Sequence, residues 1–172
     1  MTLHTGPGCT LDENPSNGPS SQGFSGTPLS TTCDVTGGNN DGCGIGDPDP
    51  KSFGKGFNSN GGGVYARLLD EEGVKIWFFG RSSIPQDVVS GSPDPSSWPT
   101  PKAFWSSATC DTPSHFVDHS LVFDTTLCGD WAGQVYENSG CPGTCAETVA
   151  KASNFGRAFF FPMLSPLIAA VY

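Results

Sequence analysis

Charge is scarce in this chain. Of 172 residues only 15% are Asp, Glu, Lys or Arg, and 8 cationic side chains face 17 acidic ones, a net charge of −9. A protein so poor in cations has no basic stripe to displace counterions from a phosphate backbone, which argues against nucleic acid and anionic membrane as partners. Long apolar runs are missing as well. The longest, AFFFPML at 158–164, is interrupted by Pro162 and followed by Pro166. It falls far short of the roughly 20 residues that cross a bilayer. There is no GxSxG elbow, Walker loop, HExxH or GxGxxG, so the chemistries those motifs serve are not signalled. CxxC pairs are absent too, and no metal or other cofactor is expected.

Turn formers and aromatic residues are plentiful, with 23 Gly, 15 Pro, 12 Phe and 4 Trp. That balance suits short strands joined by many loops and disfavours a helical bundle. Seven cysteines (9, 33, 43, 110, 128, 141 and 145) in a weakly charged, loop-rich chain point to disulfides and an oxidising, extracellular compartment. An odd count leaves one thiol without an internal partner. Residues 1–30 carry no basic start, apolar core or cleavage site of a signal peptide. The two observations are reconciled if Met1 is internal to a longer protein.

Residues 6–60 read as a long loop region tied by Cys9, Cys33 and Cys43. Val64–Leu69 and Val74–Arg81, separated by DEEG, predict a hairpin with Gly73 easing the turn. The unbroken IWFF predicts a strand covered on both faces. Residues 90–102 are a Pro-rich loop, and 115–124 read as a strand. The clearest helix signal is TCAETVAKASN, where Thr144 and Glu147 have capping-box spacing, so one short helix is expected near 145–153.

For chemistry, HFVDH sets His115 and His119 four apart. On a strand they share a face but lie about 13 Å apart, too far to hold one ion. GNNDGCGIGDPDP is acidic but lacks EF-hand spacing and reads as a solvated turn. Asp47 and Asp49 have the i, i+2 spacing of a carboxylate pair, yet they sit in DPDP, where proline breaks strand pairing. Trp77 belongs to the core. Trp131, set in CGDWAG among small and polar residues, suits an exposed loop or cleft lip with a flat face for sugar.

GGGVYA (61–66), IWFFGRSSIP (76–85), SPDPSSWPTPKA (92–103), HFVDHSLVFDTTLCGDWAG (115–133) and GCPGTCAETVA (140–150) together resemble the fungal laminarinase-like branch of glycoside hydrolase family 16. The resemblance runs in order over about residues 1–157. It implies a secreted endo-β-1,3(4)-glucanase ancestry and a jelly-roll β-sandwich, all-β and here incomplete, with glucan along the concave sheet. It identifies Trp131, with Asp130 beside it, and His4 as substrate-binding residues, and β-1,3-glucan or mixed-linkage glucan as the partner. The family's catalytic strand carries Glu-x-Asp-x-x-Glu, and no such pattern occurs in this sequence. By the same resemblance TLHTGPGC is the strand just downstream of that motif, so the chain reads as one N-terminally truncated domain, 1–172, with no catalytic residue. Residues 158–172 read as a diverged last strand. Three readings follow: a non-catalytic remnant with weak glucan binding, an enzyme using another carboxylate pair or carboxylates from a partner chain, and a secreted interaction protein without sugar function. Exposed sheet edges would favour self-association.

Overall fold

The computed structural model describes residues 1–12, 23–120, 122 and 127–154, and the side chains of 130–132 are not among what it describes. In chain order the elements are β1 (Thr2–Leu3), β2 (Thr27–Pro28), β3 (Cys43–Gly46), α1 (Gly54–Ser59), β4 (Gly63–Asp70), β5 (Gly73–Gly80), α2 (Gln86–Val89), β6 (Ala103–Ser106), α3 (Thr112–His115), α4 (Asp130–Val135) and α5 (Cys145–Val149). The described chain divides after Asp118 into two compact units.

The first unit holds two antiparallel three-stranded sheets, ordered β1-β3-β2 and β4-β5-β6. The predicted hairpin is present with Asp70 opposite Gly73, and Asp70 Oδ1 accepts the Glu72 and Gly73 amides at 2.9 and 3.2 Å. Gly73 sits at φ 143°, where a side chain would be strained. β5 is central in its sheet, and IWFF is covered on both faces as its composition predicts. Trp77 and Phe79 pack with Ala66, Leu68, Ile84 and Trp98 on one face. Phe78 stacks near Tyr65 and Phe57 on the other, at centroid distances of 5.0 and 6.0 Å.

Cys43 and Ile45 of β3 share one core with Val74 of β5 and Ala103 and Trp105 of β6. The two sheets therefore bury a common layer, the jelly-roll β-sandwich class anticipated from the sequence. Short helical turns are more numerous than the single predicted helix. They are one to two turns long and have no apolar periodicity to read. Several instead start at proline, whose fixed φ suits a first turn: α2 follows Pro85, α3 contains Pro113, and a 3-10 turn at Pro95–Ser97 is capped by Asp94.

The expected strand at 115–124 is corrected in its described part. Thr112–His115 is a helical turn and 116–120 is irregular, with Asp118 at φ 52°. Pro113 suits the first turn of α3, which takes in His115, and the left-handed Asp118 breaks extension. Leu121, Phe123 and Asp124 lie outside the described residues, as does the expected terminal strand at 158–172.

In the second unit α5 begins with the predicted capping box. Thr144 Oγ1 accepts the Glu147 amide at 3.3 Å and Glu147 Oε2 accepts the Thr144 amide at 3.2 Å. Helix α5 ends at Val149, and Asn154 Nδ2 donates to the Thr148 carbonyl at 2.9 Å. Thr144→Ala is expected to loosen α5 by about 1 kcal/mol. Faster amide exchange at Glu147 than in the unchanged chain would show it; unchanged exchange would refute the cap's contribution.

Six cysteines pair as Cys9–Cys110, Cys33–Cys43 and Cys128–Cys145, and Cys141 is the exposed free thiol. Cys9 thus anchors the 6–60 region to Cys110, after β6, while Cys33–Cys43 closes a loop within it. That region also holds β2, β3 and α1.

Candidate functional site

His4 follows β1, where Leu3 lies opposite Cys43 of β3 and packs against the core. Strand alternation then turns His4 outward, and its side chain is exposed. The next residue is fixed: the Thr5 amide donates to the Cys33 carbonyl at 2.9 Å, and the Thr5 carbonyl accepts from Val35 at 3.1 Å. The imidazole lies against Gly42, which adopts φ 64°. A β-carbon at Gly42 would come 2.9 Å from His4 Nε2 and overlap the Leu3 carbonyl, so only glycine gives the ring this berth. The Cys33–Cys43 bridge joins the two segments that flank it.

Asp130 and Trp131 open α4 in the second unit. The sequence suggested a loop or cleft lip around Trp131; the backbone there is the first turn of a helix. Cys128 at φ 71° and Gly129 at φ 52° reverse the chain just before it, and Cys128 is bridged to Cys145 of α5. The Asp130 and Trp131 side chains lie outside the described residues.

Asp47 and Asp49 are both engaged in local structure. Asp47 Oδ1 accepts the Asp49 amide at 3.0 Å and the Lys102 ammonium at 3.3 Å, and its side chain is only 5% exposed. Asp49 Oδ1 in turn accepts the Lys51 amide at 2.9 Å. The turn roles are those the DPDP context predicted; the ion pair of Asp47 with Lys102 is added by the fold. Tyr65, whose hydroxyl donates to the Ser52 carbonyl, is pushed above the usual tyrosine range by burial. In GNNDGCG, Asn39 Oδ1 accepts the Asp41 amide at 3.2 Å in an exposed turn.

One ligand-type cluster was not anticipated. Sulfur atoms of Cys9 and Cys110 and a ring nitrogen of His115 all lie within 4.8 Å of one another. The two sulfurs are bonded to each other and offer no thiolate, so this set does not fit a metal ion. A shallow, mostly apolar cavity of about 230 Å³ is lined by Leu69, Asp70, Glu71, Thr112, Pro113 and Phe116. Its Asp70 is already committed to the hairpin turn.

Trp98 and Trp105 are structural. Trp98 Nε1 donates to Asp87 Oδ2 at 2.7 Å and the ring meets Trp77 edge-on at 5.1 Å. The Asp94 amide, and further on the Trp98 indole, hold the Asp87 carboxyl below the ordinary carboxylate range.

Comparison with known proteins places this architecture. Residues 1–162 match the model of an XgeA-like, catalytic GH16 domain. A probable glycosidase of Schizosaccharomyces pombe is 42% identical over 164 residues, covering 93% of this chain and 38% of that protein. The endo-1,3(4)-β-glucanase XgeA of Emericella nidulans is 50% identical over 91 residues, 53% of this chain and 14% of that one. Among solved structures, GH16 laminarinase 16A from Phanerochaete chrysosporium, with 6-O-glucosyl-laminaritriose in donor and acceptor sites, superimposes at TM-score 0.70 with 38% identity. That match covers 87% of this chain and 50% of the laminarinase, so the chain spans half or less of each of these relatives. With two packed antiparallel sheets, three disulfides and a family match over 162 of 172 residues, the chain belongs to glycoside hydrolase family 16, among the fungal glucanase-like proteins.

Proposed function

We propose that this 172-residue chain is a β-glucan-binding unit of glycoside hydrolase family 16 that does not itself cut glucan. One observation carries the reading: the sequence has no Glu-x-Asp-x-x-Glu. Retaining hydrolysis needs two carboxyl groups about 5–5.5 Å apart, one to attack the anomeric carbon and one to protonate the leaving oxygen. Contacts that hold substrate and transition state equally well do not lower that barrier. His4, Trp131 and Asp130 are the residues assigned to glucan contact, and the family relationship supports β-1,3- or mixed-linkage glucan as the ligand. Binding is expected to be weak, because the chain spans half or less of its relatives' length. The three disulfides support a place outside the cell. Copies would pair along the partly exposed edge strand β4.

Incubation of the purified chain with laminarin is expected to release no reducing sugar. Titration with laminari-oligosaccharides is expected to change tryptophan fluorescence, with the affinity falling about tenfold in Trp131→Ala, equivalent to roughly 1.4 kcal/mol. Release of reducing sugar would overturn the non-catalytic reading. A fluorescence response identical in Trp131→Ala would overturn the assignment of that residue.

A further inference from the structure

His115 joins two segments 108 residues apart. It closes α3, with Nε2 2.9 Å from the Pro7 carbonyl oxygen and Nδ1 2.9 Å from the Asp111 carbonyl oxygen. A neutral imidazole has one N–H and can satisfy only one of these acceptors, whereas the imidazolium donates to both. Ser114 Oγ adds a third contact, 2.9 Å from Nδ1 and 3.1 Å from the Asp111 carbonyl. Its hydroxyl could serve a neutral Nδ1, but the Asp111 carbonyl would then face the same lone pair. Protonation removes that conflict: each ring N–H meets a carbonyl, and the Asp111 oxygen is shared with the Ser114 hydroxyl and with the His115 amide at 3.2 Å.

The surroundings favour the cation. The charged group facing the ring from α3 and its cap is Asp111. Pro7 and Gly8 contribute backbone, and the adjacent Cys9–Cys110 bridge is neutral. Gly8, at φ 102°, brings the turn to within van der Waals reach of the ring: a β-carbon there would sit 3.7 Å from Nε2. The turn is anchored on both sides, at Thr5 by the Cys33 carbonyl and at Cys9 by its bridge. Only the span Gly6–Gly8 between those anchors depends on the histidine.

We propose that His115 is a proton-operated clasp: as the imidazolium it fastens the Pro7–Gly8 turn, which follows His4 and β1, to α3, and on losing its proton to solvent it lets one of the two carbonyls go. The hydrogen bonds to Pro7 and then Asp111 hold the His115 pKa above its ordinary value, against a smaller effect of burial. For a pKa raised in the folded state, the stabilisation is complete below about pH 6.5 and is lost as pH rises through the folded-state value. The clasp thus has both hydrogen bonds in acid and loses one of them as pH rises through the folded-state value.

An NMR titration of the full chain tests this directly. The His115 ring is expected to titrate above its value in the urea-unfolded chain. Ser114→Ala, which removes the hydroxyl that can serve the neutral ring, is expected to move it higher still. Amide exchange at Gly8, corrected for its intrinsic pH dependence, is expected to accelerate through the same pH range, and His115→Gln is expected to abolish that response. A His115 pKa at or below the unfolded value would overturn the clasp, as would an unchanged Gly8 response in His115→Gln. Should that variant fail to fold, the wild-type and Ser114→Ala titrations decide the matter.

Discussion

Replacing Trp105 with alanine is expected to remove about 4 kcal/mol of folding stability, within the range for truncating a buried aromatic ring. Trp105 is the largest fully buried side chain among the described residues, at 0% exposure. It lies opposite Val74 in the β5–β6 register, and its indole crosses to the other sheet, where Nε1 donates to the Cys43 carbonyl at 3.2 Å. Removing the ring therefore leaves a void in the layer shared by both sheets and removes the hydrogen bond that crosses between them. Trp105→Phe separates the two effects, since it keeps most of the volume and loses only the hydrogen bond, at about 1 kcal/mol. Urea unfolding reads both as shifts in midpoint. A loss below about 1 kcal/mol for Trp105→Ala would mean that the sheets are not held by this ring.

Removing the Cys9–Cys110 bridge, with both cysteines changed to alanine, is expected to destabilise the chain more than the same change at Cys33–Cys43. The bridged residues are separated by 101 positions in the first case and 10 in the second. Loop-closure entropy puts these at about 4.7 and 2.7 kcal/mol, a gap of roughly 2 kcal/mol. The longer bridge also sits where the chain is already stitched. The Thr10 amide donates to the Thr109 carbonyl at 3.0 Å, and Thr109 Oγ1 donates to the Thr10 carbonyl at 2.8 Å. Those bonds survive the substitution, so the measured difference isolates the constraint on the unfolded chain. Equal losses for the two pairs would contradict the entropic account and point to native-state packing of the sulfurs.

Local rules made much of this fold readable. The DEEG turn, the unbroken IWFF and the Thr144–Glu147 box each encode their structure within a few residues, through φ preference, side-chain alternation or a reciprocal hydrogen bond. The 115–124 segment misled because its apolar alternation matched a strand, while Pro113 and Asp118 imposed a backbone that alternation does not register. For Trp131 the small polar neighbours suggested an exposed loop or cleft lip; the reversal at Cys128 and Gly129 sets its backbone in the first turn of α4, which neighbouring residue types alone do not register.

What the sequence determined by itself is composition-deep and motif-deep: a strand-rich, disulfide-bearing chain of glycoside hydrolase family 16 that lacks Glu-x-Asp-x-x-Glu. Only the tertiary structure decided which cysteines pair, that Gly42 makes the berth for His4, and that His115 reaches Pro7 across 108 positions. Each of these is a contact between residues distant along the chain. Its energy depends on distance and direction in space, and residue order alone specifies neither.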